Sequence, residues 1–401
     1  MLVTPPPPAG PVTTEAPVPP PRPAAQPPPP APPPEKKPPA GYVPGTGFVI
    51  QSDDAAYRLR VGLAAGFKFE PVYQDGSYQN RNTFFVLRPI LSGNFFKEWI
   101  HFWTSFEFAA NPPFLLDSYV EIQPVKEFGL RLGQQFTPFD RHEYFGPQEI
   151  LFPEWSAVSN YFWTGRDKGV TAMGTITGQL EYWAGLYSGT PLQQFNALPG
   201  NYVAEGRVTW SPMGPVGATE FAYILSDKPL PFRVSATVQG VNEKVQSATQ
   251  NFNPSTFRYQ IMATGETTKN SMGGADLWIQ GPRFIFFAEG MVRHTTPPTG
   301  PSFTSVGAWG QAGVMILERT MDAGVRLSWL NPGTDLADDQ FYSAEGQITW
   351  YPAHSQHLVL KLRYAFGHQS SPGMAELGSV PLVIASAGNT QIATVQGNLA
   401  F

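Results

Sequence analysis

The sequence predicts an all-β protein: a transmembrane antiparallel β-barrel of about sixteen strands over residues 48–401, behind a proline-rich segment over 1–47. Three observations predict it. Long stretches alternate apolar and polar residues with period two, the signature of a pleated strand with two unlike faces. No apolar run reaches the ~18–20 residues that a membrane helix needs. Charged residues make up 14% of the chain and aromatic residues 13%; an ordinary soluble protein carries roughly 25% charged residues, so an apolar exterior is expected. The chain has no cysteine, which removes disulfides, thiolate metal sites, iron–sulfur clusters and thiol nucleophiles.

Of the 43 prolines, 20 lie before residue 48, so the excess belongs to the first segment. Runs such as Pro5–Pro8, Pro27–Pro30 and Pro32–Pro34 leave almost nothing to bury. An extended polyproline II arm is expected, at ~3.1 Å per residue and reaching up to about 140 Å. It reads either as a periplasmic spacer or as a ligand for a cell-wall or periplasmic partner. Met1–Pro5 shows no basic region followed by an apolar stretch, so no signal peptide is expected in this numbering, which for an exported protein begins after or without its leader.

The first strand shows the alternation plainly. Tyr57, Leu59, Val61, Leu63, Ala65, Phe67 and Phe69 form one face; Arg58, Arg60, Gly62, Ala64, Gly66, Lys68 and Glu70 form the other. Similar segments follow over 82–96, 99–110, 114–124, 127–137, 167–176, 179–189, 202–212 and 232–241. The series continues over 272–281, 283–293, 305–316, 320–330, 341–351, 356–367 and 391–401. Each is long enough for the ~9–11 residues of a tilted membrane-crossing strand. Connections alternate between tight links and long stretches over 71–81, 138–166, 190–201, 242–271 and 368–390, matching short periplasmic turns and longer external loops. Two links break the pattern: 111–113 is short on the external side, and 213–231 is long on the periplasmic side, with Glu220–Leu225 a candidate further strand. Ala204–Pro212 and Ala344–Pro352 echo one another and place Trp210 and Trp350 at one membrane interface. The last segment alternates to a terminal Phe401, which resembles the C-terminal signal that barrel-assembly machinery reads on bacterial outer-membrane barrels.

Residues 131–174 carry an ordered series: Gly133, Thr137-Pro138-Phe139, Leu151-Phe152-x-Glu154-x-Ser156, Asn160, Phe162, and Gly165-Arg166-Asp167-x-Gly169-Val170. The series resembles the phosphate-selective porin O/P family. That resemblance implies a sixteen-stranded, usually trimeric barrel whose third external loop, here 138–166, folds inward and narrows the pore. The homotrimer, the surrounding outer-membrane lipid and lipopolysaccharide, and the bacterial outer-membrane location are expectations of the same resemblance. One departure stands out: Trp155 lies between Glu154 and Ser156 where the family pattern leads us to expect arginine.

A charge on the lipid face costs ~2–4 kcal/mol at the bilayer midplane, so charged strand residues should point inward. The inward bases are then Arg58, Arg60, Lys68, Arg88 and Arg131, with Arg207, Arg233, Arg326, Lys361 and Arg363. The inward acids include Glu107, Asp117 and Glu121, with Glu181, Glu205, Glu289 and Glu345. Arg58, Arg60, Lys68, Arg88, Lys361 and Arg363 fall on strands that closure brings together as a basic wall. The loop carries Asp140, Glu143, Glu149 and Glu154 against Arg141 and Arg166. The reading is a basic wall facing an acidic loop, which would set a transverse field across the opening. Of the formal net charge of −5, the arm supplies +1 and leaves −6 for the rest, so phosphate selectivity does not follow from the resemblance.

No HExxH and no Gly-x-Ser-x-Gly elbow occurs. An enzyme, a cofactor, a metal site and a nucleic-acid partner are therefore not expected. The expected function is passive diffusion of small hydrophilic solutes and ions, including anions such as phosphate. The alternative is a structural barrel that anchors a cell-envelope complex through its proline-rich arm.

Overall fold

Backbone in a bilayer must find all its hydrogen-bond partners within the protein, and sixteen paired strands closed on themselves achieve this. A computed structural model of the chain describes residues 40–43, 47–54, 56–74, 76–142, 144–146, 149–189, 200–216, 220, 231–253, 258–335, 339–370 and 388–400; over 246–253 and 258–266 only the backbone is described.

A short hairpin, β1 (Ala40–Val43) and β2 (Gly47–Gln51), comes first. The barrel begins with β3 (Arg58–Gln74), β4 (Ser77–Phe95), β5 (Lys97–Glu107), β6 (Phe114–Val125) and β7 (Phe128–Phe136). After a helix, α1 (Ala157–Phe162), it continues with β8 (Arg166–Ile176), β9 (Leu180–Tyr187), β10 (Tyr202–Trp210), β11 (Arg233–Asn253) and β12 (Arg258–Gln280). β13 (Phe284–Thr296), β14 (Phe303–Leu317), β15 (Met321–Asn331), β16 (Phe341–Trp350), β17 (Leu358–Gln369) and β18 (Gly388–Ala400) complete it. Each strand from β3 to β18 pairs antiparallel with the next, and β18 returns to β3 with Ala400 opposite Ala64 and Thr390 opposite Gln74. All sixteen segments read from the alternation are strands of this closed barrel.

β2 pairs with β3 on the edge that β18 uses, Phe48 opposite Val61 and Gln51 opposite Arg58. It continues the line of the closing strand toward the short-turn end. Among the described residues the first strand is Ala40–Val43, inside the 1–47 segment read from composition. The arm at 1–39 and the terminal Phe401 lie outside the described residues.

Two stretches read as loops are strand instead. Residues 71–81 are mostly the ends of β3 and β4, and 242–271 are mostly β11 and β12. Asn242-Glu243-Lys244 and Thr267-Thr268-Lys269-Asn270 are polar on both faces. The alternation fades there because no lipid face exists beyond the bilayer, while backbone pairing of Asn242 with Ser271 and Lys244 with Lys269 continues. Strands of 21 and 23 residues exceed the crossing requirement.

Inward and outward residues alternate along every wall. In β17, Leu358, Leu360, Leu362, Tyr364 and Phe366 are exposed while Val359, Lys361, Arg363 and Ala365 are buried. The exposed apolar residues are the lipid-facing band, and rings mark its edges. Trp99, Phe128, Trp210, Phe284 and Trp350 sit at strand ends on the short-turn side. Tyr73, Tyr78, Tyr202 and Tyr342 sit at strand ends on the long-loop side. Tight reversal at the short end needs left-handed backbone: Thr177 and Gly178 have φ of 55° and 72° in the β8–β9 turn, the primed geometry that matches strand twist.

Candidate functional site

The connection between β7 and β8 folds into the barrel. Its ends are tied together: Thr137 Oγ1 lies 2.8 Å from Thr164 Oγ1, and Thr137 donates to the Gly165 carbonyl at 2.9 Å. Within it, Ser156 caps α1 by accepting from Ser159 N at 2.9 Å. Strand β8 starts at Arg166, so the loop proper ends one residue earlier than the reading of 138–166. The residues that carried the family resemblance thus build this loop. Phe139, Leu151, Phe152, Ser156 and Phe162 are buried in it, and Asp167 just after it accepts from Ser188 Oγ and Gly189 N at 2.6 Å each.

Much of the loop packs on one arc of wall, β11–β18 with β3. Phe139, Val158, Tyr161 and Phe162 join Trp278, Phe287, Trp309 and Leu330 of the wall in one apolar cluster. Leu151 and Phe152 pack with Ile285, Met315, Tyr351 and Val359 in a second. Glycines on the wall make the close approach possible: a Cβ on Gly313 would lie 2.7 Å from Leu151 Cδ2, one on Gly324 2.8 Å from the same atom, and one on Gly307 2.8 Å from Val158 Cγ1. Polar moorings complete the contact. Lys361 Nζ donates to the carbonyls of Ile150 (2.6 Å) and Phe152 (3.1 Å). Arg326 Nη1 donates to the Glu154 carbonyl at 2.8 Å, while Lys68 pairs with the Glu154 carboxylate. Arg141 donates to Ser235 Oγ at 2.7 Å and pairs with Asp276 at 3.4 Å.

The sequence reading set a basic wall against an acidic loop. Lys68, Arg326, Lys361 and Arg363 point inward but are covered, each 3% exposed or less. They hold the loop or pair within the wall: Arg326 meets Glu345 at 2.7 Å, and Arg363 lies 3.4 Å from Glu345 and 3.9 Å from Glu70. The loop acids are likewise engaged. Asp140 accepts from His142 N at 2.7 Å, Glu149 from Gly146 N at 2.8 Å, and Glu154 meets Lys68. Burial pushes the Glu149 carboxyl above the ordinary glutamate range, against the pull of the Gly146 N–H and of Arg88. Glu143 lies outside the described residues. Arg58 is exposed and Arg60 half-buried at the short-turn end of β3, away from the loop moorings, and Arg233 donates to the Pro215 carbonyl at that end.

The other arc, β4–β9, carries a series of inward ion pairs. Arg88 pairs with Glu107 at 3.1 Å, Arg166 with Asp117 at 2.8 Å, and Arg131 with Glu121 at 2.6 Å. Next to this arc, Arg207 of β10 meets Glu181 at 3.5 Å. Rings are interleaved. The Arg131 guanidinium lies 4.4 Å from the Tyr119 ring centroid and 5.1 Å from that of Trp183, and it donates to Tyr144 Oη at 2.9 Å. Arg207 stands over Trp183 and Tyr144 at 5.6 and 5.5 Å. Exposure in this series runs from 1% for Glu107 and 4% for Arg207 through 9% for Arg131 to 45% for Glu181, against 0–1% for Arg363 and Arg326. Such pairs set guanidinium faces and carboxylates side by side.

Sequence reasoning missed His142 and Glu220. His142 Nδ1 lies 2.6 Å from Glu220 Oε1, both fully covered. Burial raises the Glu220 carboxyl, but the His142 ring and the Leu151 N–H outweigh it and leave it below the ordinary glutamate value. The only signal was the exceptional length of 213–231. Residues 221–225 of the candidate strand there lie outside the described residues, and Glu220 itself sits in a bend.

No curated protein sequence matches the chain. Solved structures similar in fold include an anion-selective porin from Comamonas acidovorans (TM-score 0.61, 12% identity, covering 86% of this chain and 99% of that one). OmpT of Vibrio cholerae in its trimer form is another (0.55, 10%, 86% and 99%), as is OprB of Pseudomonas putida (0.55, 11%, 86% and 94%). A sequence model described as phosphate-selective porin O and P matches residues 61–270, more than half of the chain. With its sixteen-stranded barrel and inward loop, the chain belongs to the phosphate-selective porin O and P family and is an outer-membrane porin of the bacterial cell.

Proposed function

We propose that the chain is a passive pore for small hydrophilic solutes and ions, small anions such as phosphate included, and that it selects weakly by charge. The observation that carries this is the series of arginine–carboxylate pairs along β4–β9 and β10, Arg88–Glu107, Arg166–Asp117, Arg131–Glu121 and Arg207–Glu181. Strong selectivity needs a ring of one sign, and here each base has an acid beside it. Delocalised guanidinium groups over rings favour planar or oxyanionic groups over bare cations, which gives the weak preference its sign. The net of −6 outside the arm and the description of one similar structure as anion-selective point in opposite directions, and weak selection accommodates both. A trimer is the expected assembly, since a similar fold is recorded in a trimer form.

The test is the reversal potential of the purified protein in planar bilayers under a salt gradient. The expected result is stable conductance with a reversal potential far below the ideal Nernst value, on the anion side. A near-Nernstian potential of either sign would contradict the paired lining, and a barrel with no ion-permeable state would contradict the pore. Nothing among the described residues favours the anchoring alternative.

A further inference from the structure

We propose that Glu220, carried into the lumen by the connection at the short-turn end, fixes the position of the constriction loop and thereby the size of the opening; this rests on the pore reading above. Short-end connections in such barrels are usually tight turns. The link from Trp210 to Arg233 is not. It leaves β10 with Ser211 N donating to the Gln179 carbonyl at 2.7 Å and makes a turn in which Gly214 N reaches the Ser211 carbonyl at 3.0 Å. It then heads inward, because Val216 is buried in the same apolar cluster as Phe139 and Trp278. Glu220 is 1% exposed.

From there one residue grips three loop positions. Its carboxylate takes His142 Nδ1 at 2.6 Å on one oxygen and Leu151 N at 2.5 Å on the other, and its own N–H donates to the Glu149 carbonyl at 2.9 Å. Two of the three bonds go to loop backbone, so they fix the path of the chain rather than one rotamer. His142 is in turn set against Trp309, with ring centroids 4.4 Å apart, and its N–H is held by Asp140. The wall holds the loop from the side; Glu220 holds it from the opposite end of the barrel. Removing the carboxylate leaves a buried N–H and a buried ring nitrogen without partners, a loss that favours release of the loop over its retention.

The chain has no cysteine, so a single reporter is clean. Leu151→Cys is placed in the wild-type, Glu220→Ala and Glu220→Gln backgrounds, and labelling by a small hydrophilic thiol reagent is timed on folded protein in vesicles. Conductance is recorded in parallel for the same substitutions without the reporter. The expected result for Glu220→Ala is about tenfold faster labelling as the loop opens locally and a single-channel conductance changed by roughly twofold. Glu220→Gln, which keeps one acceptor for Leu151 N, should fall between and serves if the alanine variant does not fold. Unchanged labelling would overturn the inference, and so would changed conductance with unchanged labelling, which would be a charge effect alone. A wild-type barrel that conducts nothing would overturn the pore reading, while the labelling comparison would still decide the role of Glu220.

Discussion

The two arcs of the barrel wall obey one pattern and do different work. On both, lipid-facing residues are apolar and charged residues point inward. On β16 and β17, every inward residue from Phe341 to Thr349 and from Val359 to Gln369 is buried beneath the loop or its neighbours. On β6 and β9, Tyr119, Glu121, Glu181 and Trp183 remain partly open. The lesson is that inward direction is set by the bilayer, whereas how far an inward side chain is covered is set by where the loop lies. An inward lysine such as Lys361 holds loop backbone, while an inward arginine such as Arg131 is shared between a wall carboxylate and Tyr144 of the loop.

Substitutions can break this contrast. The largest effect is expected for Lys361→Met. It strips the donor from two buried carbonyls and should cost about 3 kcal/mol, on the scale of removing one buried partner; the urea midpoint of the barrel in lipid vesicles measures it. Gly324→Val comes next, since its side chain meets Leu151 and Gln347. Overpacking of this kind costs roughly 1–3 kcal/mol, and single-channel recordings should show an altered conductance as the loop shifts. Arg131→Gln on the other arc breaks a buried pair with Glu121 and a bond to Tyr144 and should cost roughly 1–3 kcal/mol, while moving the reversal potential toward cations. Arg283→Ala removes a pair with Glu318 in which both side chains are more than half exposed; its effect on stability should be under about 0.5 kcal/mol, with conductance unchanged. A larger effect on permeation from Lys361→Met than from Arg131→Gln, with the loop still protected, would erase the distinction between the arcs.

The strands and their order were legible because the bilayer imposes a two-residue period that local sequence must obey. The inward loop was legible from its length and its motif. What could not be read was the side of the barrel on which it docks. That depends on Leu151 meeting Gly313 and Gly324, and on Lys361 reaching Ile150 and Phe152, partners more than 150 residues apart in sequence. The ends of β11 and β12 were missed because residues polar on both faces carry no period. Glu220 was missed because its partners, His142 and Leu151, lie in another loop.

The most direct test of the central claim uses the absence of native cysteine. Glu181→Cys on the open arc and Gln347→Cys on the covered arc are exposed in turn to a bulky hydrophilic thiol reagent during bilayer recording. Blockage of current through Glu181→Cys, with no change through Gln347→Cys, is the result expected if solutes pass along β4–β9. Blockage at Gln347→Cys with none at Glu181→Cys would place the passage on the other arc and contradict the account.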